Sequence, residues 1–459
     1  MIQINKNYKR ILDPIYSIIS ISNIAQHIID TVEFQRLRYI KQLGACTFVF
    51  PHANHTRFIH SLGTYHLADV ILYTIRKNSN LNNINIWLSK IPELKNYYNR
   101  RTNKNDDKLD DYVCELVKIA ALNHDLATGL LSHIFDDTFL PCIKKKYNKK
   151  DSLYDHHEYR SGIMLEHIIK NNTVLSNVIY KDEIQFMKNL IDPKKHHKGF
   201  IYQIVSNNVC QIDVDKIDYL IRDSHALNMS FNFNNTLILC SVKVIGNNIC
   251  FPKQLDNQIA SLFMTRYQLH KQIYGHKTVT AIKFMINEIM ILIDPIINLY
   301  DSIYDIKQFC NLTDEYIFIM VKLLHKNINM YPKYKDDIIK AYNIWININK
   351  RNIYKHINTF VSSKPINITY NNIKNIDNTI DQNDIFIHYN KIGYVSGEKK
   401  NPLKNIYFYD NDAPEISYKI KDISYLLSKK YQEYLCMIFV KDRTNKQLVE
   451  KMRIVCKKL

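Results

Sequence analysis

The helical character of the chain is clearest at Tyr112–Leu126, which reads YVCELVKIAALNHDL. Apolar residues between Val113 and Ala121 recur three or four positions apart, which predicts one buried face of a helix. His124 extends this face, and Asp125 follows it directly. Taken alone, a histidine beside an acid at a helix end is more often a hydrogen-bonded core pair than a catalytic one.

Helical periodicity continues on both sides of this stretch. Further helices are predicted at Thr31–Leu43, Arg57–Arg76, Glu158–Lys170, Ile212–Leu227 and Ser261–Ile293. Residues 79–111 are rich in Asn, Lys and Asp, so we expect a polar insert or surface loop there. Nearly every segment from there to about residue 350 has helical spacing.

The pattern changes near residue 360. Strands are predicted at Asp384–Tyr389, Asn405–Tyr409, Glu415–Ile420 and Cys436–Val440, and helices at Ile423–Tyr434 and Lys446–Cys456. We therefore predict a mainly α fold. A helical core would occupy residues 1–355, with its motifs within 55–225, and a small α+β lobe at 356–459 would take part in oligomer contacts.

The chain has 459 residues, of which 46% are hydrophobic and 23% charged, and these values exclude wholesale disorder. The net charge of +18 favours polyanionic partners, either nucleic acid or nucleotides, although a basic run such as Lys144–Lys150 can equally be a solvated surface. Nine glycines are too few to favour a glycine-rich phosphate loop. The nine cysteines contain no CxxC pair, so neither a disulfide framework nor a thiolate zinc site is supported.

Targeting signals are not evident in the sequence. Residues Met1–Arg10 are polar and lack the apolar core of a signal peptide. The most apolar stretch, Ile289–Tyr300, contains Asp294 and is shorter than the roughly 20 residues that cross a bilayer. We expect an intracellular protein without a membrane partner, with the cytoplasm and the nucleus both open.

Other predicted helices carry polar residues at helical spacing. Asp215 and Asp223 share one face of a helix, and Arg266 and His270 share a face of another. Plain amphipathic surface helices would show the same spacing. Together, however, His60, His124, Asp125 and Asp215 offer two imidazoles and two carboxylates. This donor set suits Mn, Fe, Zn or Mg at a hydrolytic centre.

The strings around these residues resemble the HD-domain deoxynucleotide triphosphohydrolases, in the branch of the SAM-and-HD-domain protein of animals. The matching strings are EFQRLRYIKQLG (Glu33–Gly44), RFIHSLG (Arg57–Gly63), HDL (His124–Leu126), SHIFD (Ser132–Asp136) and DVDKIDY (Asp213–Tyr219). The resemblance covers nearly the whole chain from about residue 8, and no separate SAM domain is expected before it.

The resemblance implies an enzyme that cuts a deoxynucleoside triphosphate between the 5′ oxygen and the α-phosphate, releasing deoxynucleoside and intact triphosphate. The implied metal ligands are His60, His124, Asp125 and Asp215. A further Mg ion would bridge the phosphates. His133 would protonate the leaving 5′ oxygen, Asp136 would orient His133, and His157 would be a further active-site histidine.

A substrate pocket is implied in the same way. Its residues would be Arg57, Lys216 and Arg266 at the phosphates, Gln42 and Asp223 at the sugar 3′ hydroxyl, Leu43 and Tyr274 against the sugar, and Tyr219 and His270 beside them. The packing of Leu43 and Tyr274 would leave no room for a ribose 2′ hydroxyl.

One position departs from the family pattern. The family usually reads His-Asp-Leu-Gly-His-Gly, whereas this chain has HDLATG at His124–Gly129. Thr128 therefore replaces a histidine that contacts phosphate. Because a threonine hydroxyl can hydrogen-bond but cannot carry positive charge, we expect weakened catalysis or an altered grip on the phosphates.

The resemblance extends to regulation. The implied GTP activator residues are Lys9, Asp30, Gln35 and Arg38. Val49 and Phe50 match part of an adjoining deoxynucleotide site, whereas Leu237, Pro252 and Gln272 stand where the family usually has arginines. We expect a working GTP site, an altered or lost second activator site, and a homodimer or homotetramer.

Two alternatives to a triphosphohydrolase stay open. The charge of +18 is compatible with a phosphodiesterase or nuclease on the same scaffold, or with weak nucleic-acid binding beside the main activity. Thr128 is compatible with a catalytically weak or inactive protein that binds nucleotides or nucleic acid. The residues predicted for the sugar and the triphosphate favour dNTP substrates over both.

Overall fold

A computed structural model describes residues 9–101, 107–394, 401–421, 423 and 430–459. The described chain is mainly α-helical. Its α-helices are α1 (Asn23–Ile29), α2 (Val32–Gln35), α3 (Arg57–Asn78), α4 (Leu81–Leu88), α5 (Pro92–Arg100), α6 (Asp111–Asn123), α7 (Leu140–Tyr147), α8 (His157–Asn171), α9 (Thr173–Ser176), α10 (Lys181–Ile191), α11 (Val214–Ala226), α12 (Asn235–Cys240), α13 (Asp256–Leu269), α14 (Lys277–Ile297), α15 (Ile306–Cys310), α16 (Asp314–Lys326), α17 (Lys335–Asn349), α18 (Tyr370–Ile376) and α19 (Lys446–Lys458).

Short strands and tight turns complete the secondary structure. The strands are β1 (Lys9–Asp13), β2 (Ser17–Ile21), β3 (Lys243–Ile245), β4 (Asn248–Pro252), β5 (Lys355–Ser362), β6 (Ile385–Gly393), β7 (Tyr407–Asp410), β8 (Ala413–Lys419) and β9 (Gln432–Val440). The 3-10 helices are Arg36–Tyr39, Gly44–Phe48, Leu153–Asp155, Phe200–Gln203, Lys253–Leu255, Asp301–Tyr304, Ile328–Met330, Pro332–Tyr334, Gln382–Asp384 and Pro402–Asn405, and π-helical turns occur at Phe135–Phe139 and His270–Tyr274.

Three helices form the centre of the core. α3 packs against both α6 and α11. The Asp110 side chain caps α6 by accepting the N–H of Val113, and Asp213 caps α11 by accepting the N–H of Lys216. α6 is buried from Val113 to its end, as its apolar pattern predicts. These caps fix where α6 and α11 begin.

The helix predicted at Thr31–Leu43 is wrong beyond its first turns. α2 already ends at Gln35, a 3-10 turn follows, and the chain is extended by Ile40. Lys41 then forms an antiparallel backbone bridge with Thr56. This bridge uses backbone groups that a continued helix would need, and it holds the segment after residue 40 against the start of α3.

The loop predicted at 79–111 is wrong for residues 81–100, which form α4 and α5. Ile84, Leu88 and Leu94 are fully buried in the main core. These few apolar residues are too widely separated by Asn and Lys to give a clear period in the sequence. Their burial nevertheless stabilises both helices, because tertiary packing outweighs weak local propensity.

The helix predicted at Ser261–Ile293 is interrupted. α13 ends at Leu269, the π-helical turn His270–Tyr274 follows, and α14 begins at Lys277. Gly275 closes the turn by donating its N–H to the His270 carbonyl over 2.8 Å. Such π turns are frequent at functional sites, and this one carries two of the predicted pocket residues.

The C-terminal region contains a small antiparallel sheet in the order β5-β9-β6. A second sheet has the order β3-β4-β7-β8, with β7 parallel to β4. The predicted strands are confirmed as β6 to β9, and the mainly α fold is confirmed. The division at residue 355 stays a prediction, because the second sheet joins strands from both sides of it.

The helix predicted at Ile423–Tyr434 is wrong at its C-terminal end. Gln432–Tyr434 belong to β9, where they pair with the end of β6. Residues 424–429 of this prediction lie outside the described residues. Among the helices that are described, none combines the length and the apolar character needed to cross a membrane.

We expect Ile438→Ala to lower the free energy of unfolding by about 2–5 kcal/mol, because Ile438 is fully buried in the central strand β9 and its loss leaves a cavity. Chemical denaturation monitored by circular dichroism measures this. Ile416→Ala, on the exposed face of β8, is the control and should change the value by less than about 1 kcal/mol. Equal effects of the two substitutions would contradict the burial assigned to β9.

Candidate active site

The predicted metal ligands come together where three helices meet. His60 lies in the first turn of α3, His124 and Asp125 follow the end of α6, and Asp215 lies in the first turn of α11. One side-chain donor atom from each residue lies within 4.8 Å of the donor atoms of the other three. The helix ends therefore bring four residues that are distant in sequence to one point.

The geometry of this quartet fits a divalent metal ion. His60 Nε2 and His124 Nε2 are buried atoms with no hydrogen-bond partner among the described residues. Asp215 Oδ1 lies 3.2 Å from the first and 3.4 Å from the second. Two imidazole nitrogens and two carboxylates that face a common centre are a donor set typical of Zn, Fe or Mn, and Mg accepts the carboxylates.

The carboxylate of Asp125 is held in its ionised form. Burial alone would raise its pKa, but the charge of Arg57 and that of His124 outweigh burial and keep the pKa of Asp125 well below its usual range. Arg57 is hydrogen-bonded directly to this carboxylate. An ionised carboxylate is the form that binds a metal ion.

Hydrogen bonds behind the quartet orient both imidazole rings. His60 Nδ1 donates to Asp218 Oδ2 over 2.7 Å, and His124 Nδ1 donates to the Ala121 carbonyl over 2.8 Å. Because each Nδ1 is the donor in these bonds, each Nε2 faces the centre and presents its lone pair there when the ring is neutral. The orientation of these rings therefore follows from the fold and does not require the ion.

Asp218 is itself fixed by a buried ion pair. It accepts two hydrogen bonds from Arg222, of 2.8 and 3.0 Å, and one of 2.9 Å from the Tyr16 hydroxyl. Gly63 lies against it, and a Cβ at this position would be 1.9 Å from Asp218 Oδ1. Only glycine leaves room for the carboxylate.

Asp218 was not predicted as a site residue, although it stands in the motif Asp213–Tyr219. Its position three residues after Asp215, on the same helix face, is the signal that could have found it.

The predicted partner of His133 is wrong. His133 Nδ1 lies 2.9 Å from Asp137 Oδ2, whereas Asp136 pairs with the buried Arg160. The physical reason is the π-helical turn Phe135–Phe139, which buries Asp136 and leaves Asp137 at the surface beside His133.

The environment of His133 favours its protonated form. Its side chain is 66% exposed. Partial desolvation alone would lower the pKa of His133, but the hydrogen bond and the charge of Asp137 outweigh it and raise the pKa. A raised pKa favours the protonated form, which is the form that a general acid requires.

Cationic groups and a third histidine lie beside the quartet. His157 Nε2 is 3.5 Å from Asp125 Oδ1. Burial lowers the pKa of His270, and the nearby charges of Arg266, His133 and Lys216 lower it further. The predicted phosphate ligands Arg266 and Lys216 therefore lie close enough to His270 to lower its pKa, and His157 lies beside Asp125.

The predicted sugar residues are brought together by a contact that the sequence did not indicate. Asp223 accepts hydrogen bonds from His55 Nε2 over 2.7 Å and from the Tyr274 hydroxyl over 2.5 Å. The backbone N–H of Gln42 donates to the His55 carbonyl, and its buried Oε1 has no partner among the described residues. His55 lies 168 positions from Asp223 in the chain, so no local pattern could reveal this link.

Sequence comparison identifies the family. No protein-family model matches the chain. A mimivirus protein named as the HD domain-containing protein L394 is 37% identical over 444 residues, which cover 93% of this chain and 91% of that protein. The protein from Dictyostelium discoideum named as a homologue of the deoxynucleoside triphosphate triphosphohydrolase SAMHD1 is 32% identical, over 97% of this chain and 80% of that protein. The chain belongs to the SAMHD1 family. Human SAMHD1 itself is 29% identical over 98% of this chain and 73% of its own length.

Thr128, where this chain departs from the SAMHD1 pattern, still contacts the quartet. Its hydroxyl donates to Asp125 Oδ1 over 3.2 Å, and its carbonyl accepts from the buried Arg36 over 2.9 Å. The threonine therefore supports a metal ligand but supplies no positive charge.

The residues predicted to bind GTP lie near the N-terminus and at the surface. Lys9, Asp30 and Arg38 are exposed, and Gln35 accepts a hydrogen bond of 2.7 Å from Arg38. At the positions of the second activator site, Leu237 is exposed and Pro252 is buried in β4. Their binding roles stay predictions.

We expect Asp218→Asn to weaken metal binding by about 10- to 100-fold, because the amide no longer balances the charge of Arg222 or holds the His60 ring as firmly. Metal retention during titration with a competing chelator measures this. Asp69→Asn, on the outer surface of α3, is the matched control and should retain metal like the wild type. Equal retention in both variants would contradict the orienting role of Asp218.

Proposed function

We propose that this protein is a metal-dependent triphosphohydrolase that converts deoxynucleoside triphosphates to deoxynucleosides and inorganic triphosphate. The observation that carries the proposal is the quartet His60, His124, Asp125 and Asp215 beside the exposed His133 and the Asp223 cluster. Membership of the SAMHD1 family supports the same reaction, since the relatives are named for it. We expect dNTPs as substrates.

His60, His124, Asp125 and Asp215 would hold a divalent ion such as Fe, Zn, Mn or Mg. When bound, such an ion acidifies a water molecule and neutralises phosphate charge, and a second Mg would bridge the phosphates. The chain would add its own positive charge through Arg57, Lys216 and Arg266, which would face the four negative charges of the substrate.

His133 would donate the proton that the leaving 5′ oxygen needs. Its Nδ1 is hydrogen-bonded to Asp137, so the transferable proton of the protonated ring is the one on Nε2. Proton donation converts a poor alkoxide leaving group into a hydroxyl. This role explains why an exposed histidine is held in one orientation by a neighbouring carboxylate.

Asp223 and Gln42 would select the sugar. Two hydrogen bonds fix the Asp223 carboxylate, and Gln42 Oε1, which has no partner among the described residues, can accept a hydrogen bond from a hydroxyl. Leu43 and Tyr274 would close the side of the sugar that a ribose 2′ hydroxyl would need. A site built around a hydroxyl discriminates strongly against analogues that lack it, because its polar groups would stay unpaired.

Regulation by GTP and assembly into a homodimer or homotetramer belong to the same proposal. They rest on the surface position of Lys9, Asp30 and Arg38 and on the family resemblance. Thr128 bonds Asp125 but carries no charge, so the phosphates have one cationic group fewer than in the usual family pattern. This difference supports a slower enzyme as the second candidate function. Analysis of the products formed from the four dNTPs with Mg²⁺ or Mn²⁺, with and without GTP, tests the whole proposal.

Deoxynucleoside plus intact triphosphate is the expected product pair. Release of pyrophosphate or cleavage of single-stranded DNA instead would contradict the assigned reaction.

We expect His133→Ala to keep its metal while kcat falls about 10²- to 10⁴-fold, the usual contribution of a general acid. Asp215→Ala should lose both metal and activity, and a fully metallated Asp215→Ala variant would show that the quartet is misassigned.

The pH dependence tests the partner of His133. Asp137 raises the pKa of His133, so loss of its charge in Asp137→Asn should lower that pKa. Because the protonated histidine is the active form, the alkaline limb of kcat/KM against pH should move to lower pH. Asp151→Asn, at a distant exposed site, is the control with an unchanged profile. An unmoved alkaline limb in Asp137→Asn would overturn this assignment.

A further inference from the structure

The turn that presents His133 has an unusual backbone. Leu131 and Ser132, directly before it, both have left-handed conformations, with φ of 55° and 54°. Residues with a Cβ rarely adopt this conformation, and two in succession are rarer still. Such a turn persists only where neighbouring groups hold it in place.

A buried carboxylate from a distant part of the chain holds this turn. Asp314, the first residue of α16, accepts the N–H of Leu131 at Oδ1 over 2.5 Å and the N–H of Lys41 at Oδ2 over 2.8 Å. Its exposure is 2%. One side chain therefore bridges the His133 turn and the segment that begins at Lys41.

A second bond joins the same two segments. Ser132 Oγ donates to the Lys41 carbonyl over 2.7 Å and accepts from Arg57 Nε over 3.0 Å. Gly44, with φ of 49°, lies so close that a Cβ there would be 2.5 Å from the Leu131 carbonyl oxygen. The segment 41–44, which contains Gln42 and Leu43, thus packs directly against the turn.

The buried position of Asp314 affects its protonation. Burial raises its pKa to about 6, against the opposing effect of its two backbone hydrogen bonds and of the Lys41 and Arg36 charges. Because the folded state binds this proton more tightly than the unfolded chain does, the contribution of this group to stability falls as the pH rises from about 4 to 6. Above this pKa the ionised carboxylate can accept both backbone N–H groups.

We propose that Asp314 is a positioning residue that joins the His133 turn to the Gln42 segment. It keeps the group that protonates the leaving oxygen at a fixed distance from the groups that hold the sugar. The inference rests on the proposed function, because both ends of this bridge matter only if a deoxynucleotide lies between them. Asp314 acts through His133 and Gln42 and does not touch the substrate.

Asp314→Asn tests this in the full chain. The amide can accept one of the two N–H groups but turns its own N–H toward the other. We expect kcat to fall roughly 10- to 10²-fold, the effect of a small misplacement of reacting groups, with unchanged metal content. In the His133→Ala background the same substitution should lower kcat by a clearly smaller factor, because the part of the effect that acts through His133 is already lost and only the part that acts through Gln42 remains.

Asp305→Asn is the matched control. Asp305 also accepts two backbone N–H groups at a helix start, those of Lys307 and Gln308, but it is exposed at the start of α15. Its kcat should equal that of the wild type. Wild-type kcat in Asp314→Asn would overturn the inference while leaving the proposed function intact. So would a decrease in kcat by the same factor in the presence and in the absence of His133.

Hydrogen exchange gives a readout that does not depend on activity. Peptides that contain Lys41 and Leu131 should exchange their amide hydrogens faster in Asp314→Asn than in the wild type or in Asp305→Asn. Unchanged protection at both segments would overturn the bridge itself. A wild-type protein that hydrolyses no dNTP would contradict the proposed function, and with it the catalytic purpose of the bridge, whatever the exchange result.

Discussion

The hydrogen bond between His60 and Asp218, buried where α3 crosses α11, constrains the arrangement of the whole site. It sets the His60 tautomer, and it requires a charged partner for Asp218, which Arg222 supplies. Arg222 also donates to Asp13 at the end of β1 over 3.0 Å. A buried network of this kind is stable only when every member is paired, so α3, α11 and the N-terminal hairpin must adopt their positions together.

The remaining catalytic groups are tied to this centre by further buried hydrogen bonds. Arg57, three residues before His60, bonds both Asp125 and Ser132. Ser132 and Asp314 connect the turn of His133 to the segment of Gln42, which in turn leads through His55 to Asp223. The predicted metal ligands, the proposed proton donor and the proposed sugar-binding residues therefore form one continuous polar network, which is the preorganisation that hydrolytic catalysis needs.

The sequence alone was sufficient to predict the site residues that lie at helix ends within recognisable motifs. His60, His124, Asp125 and Asp215 were predicted as a set and do converge. The partner of His133 could not be predicted, because Asp136 and Asp137 differ by one position and a π-helical turn chooses between them. His55 and Asp314 were missed because their partners lie far away in the chain, where only tertiary packing brings them close. The helices α4 and α5 were missed because three buried apolar side chains among many polar ones give no clear period.

The central claim is that the quartet, His133 and Asp223 surround one nucleotide. Crystals grown with Mn²⁺ and a deoxynucleotide analogue that has a methylene group in place of the 5′ oxygen test it most directly. We expect an Mn²⁺ ion, located by its anomalous signal, bound to the Nε2 atoms of His60 and His124 and to Asp125 and Asp215. The methylene group of the analogue should lie beside His133. An ion bound elsewhere, or an analogue with its terminal phosphate at His133, would contradict it.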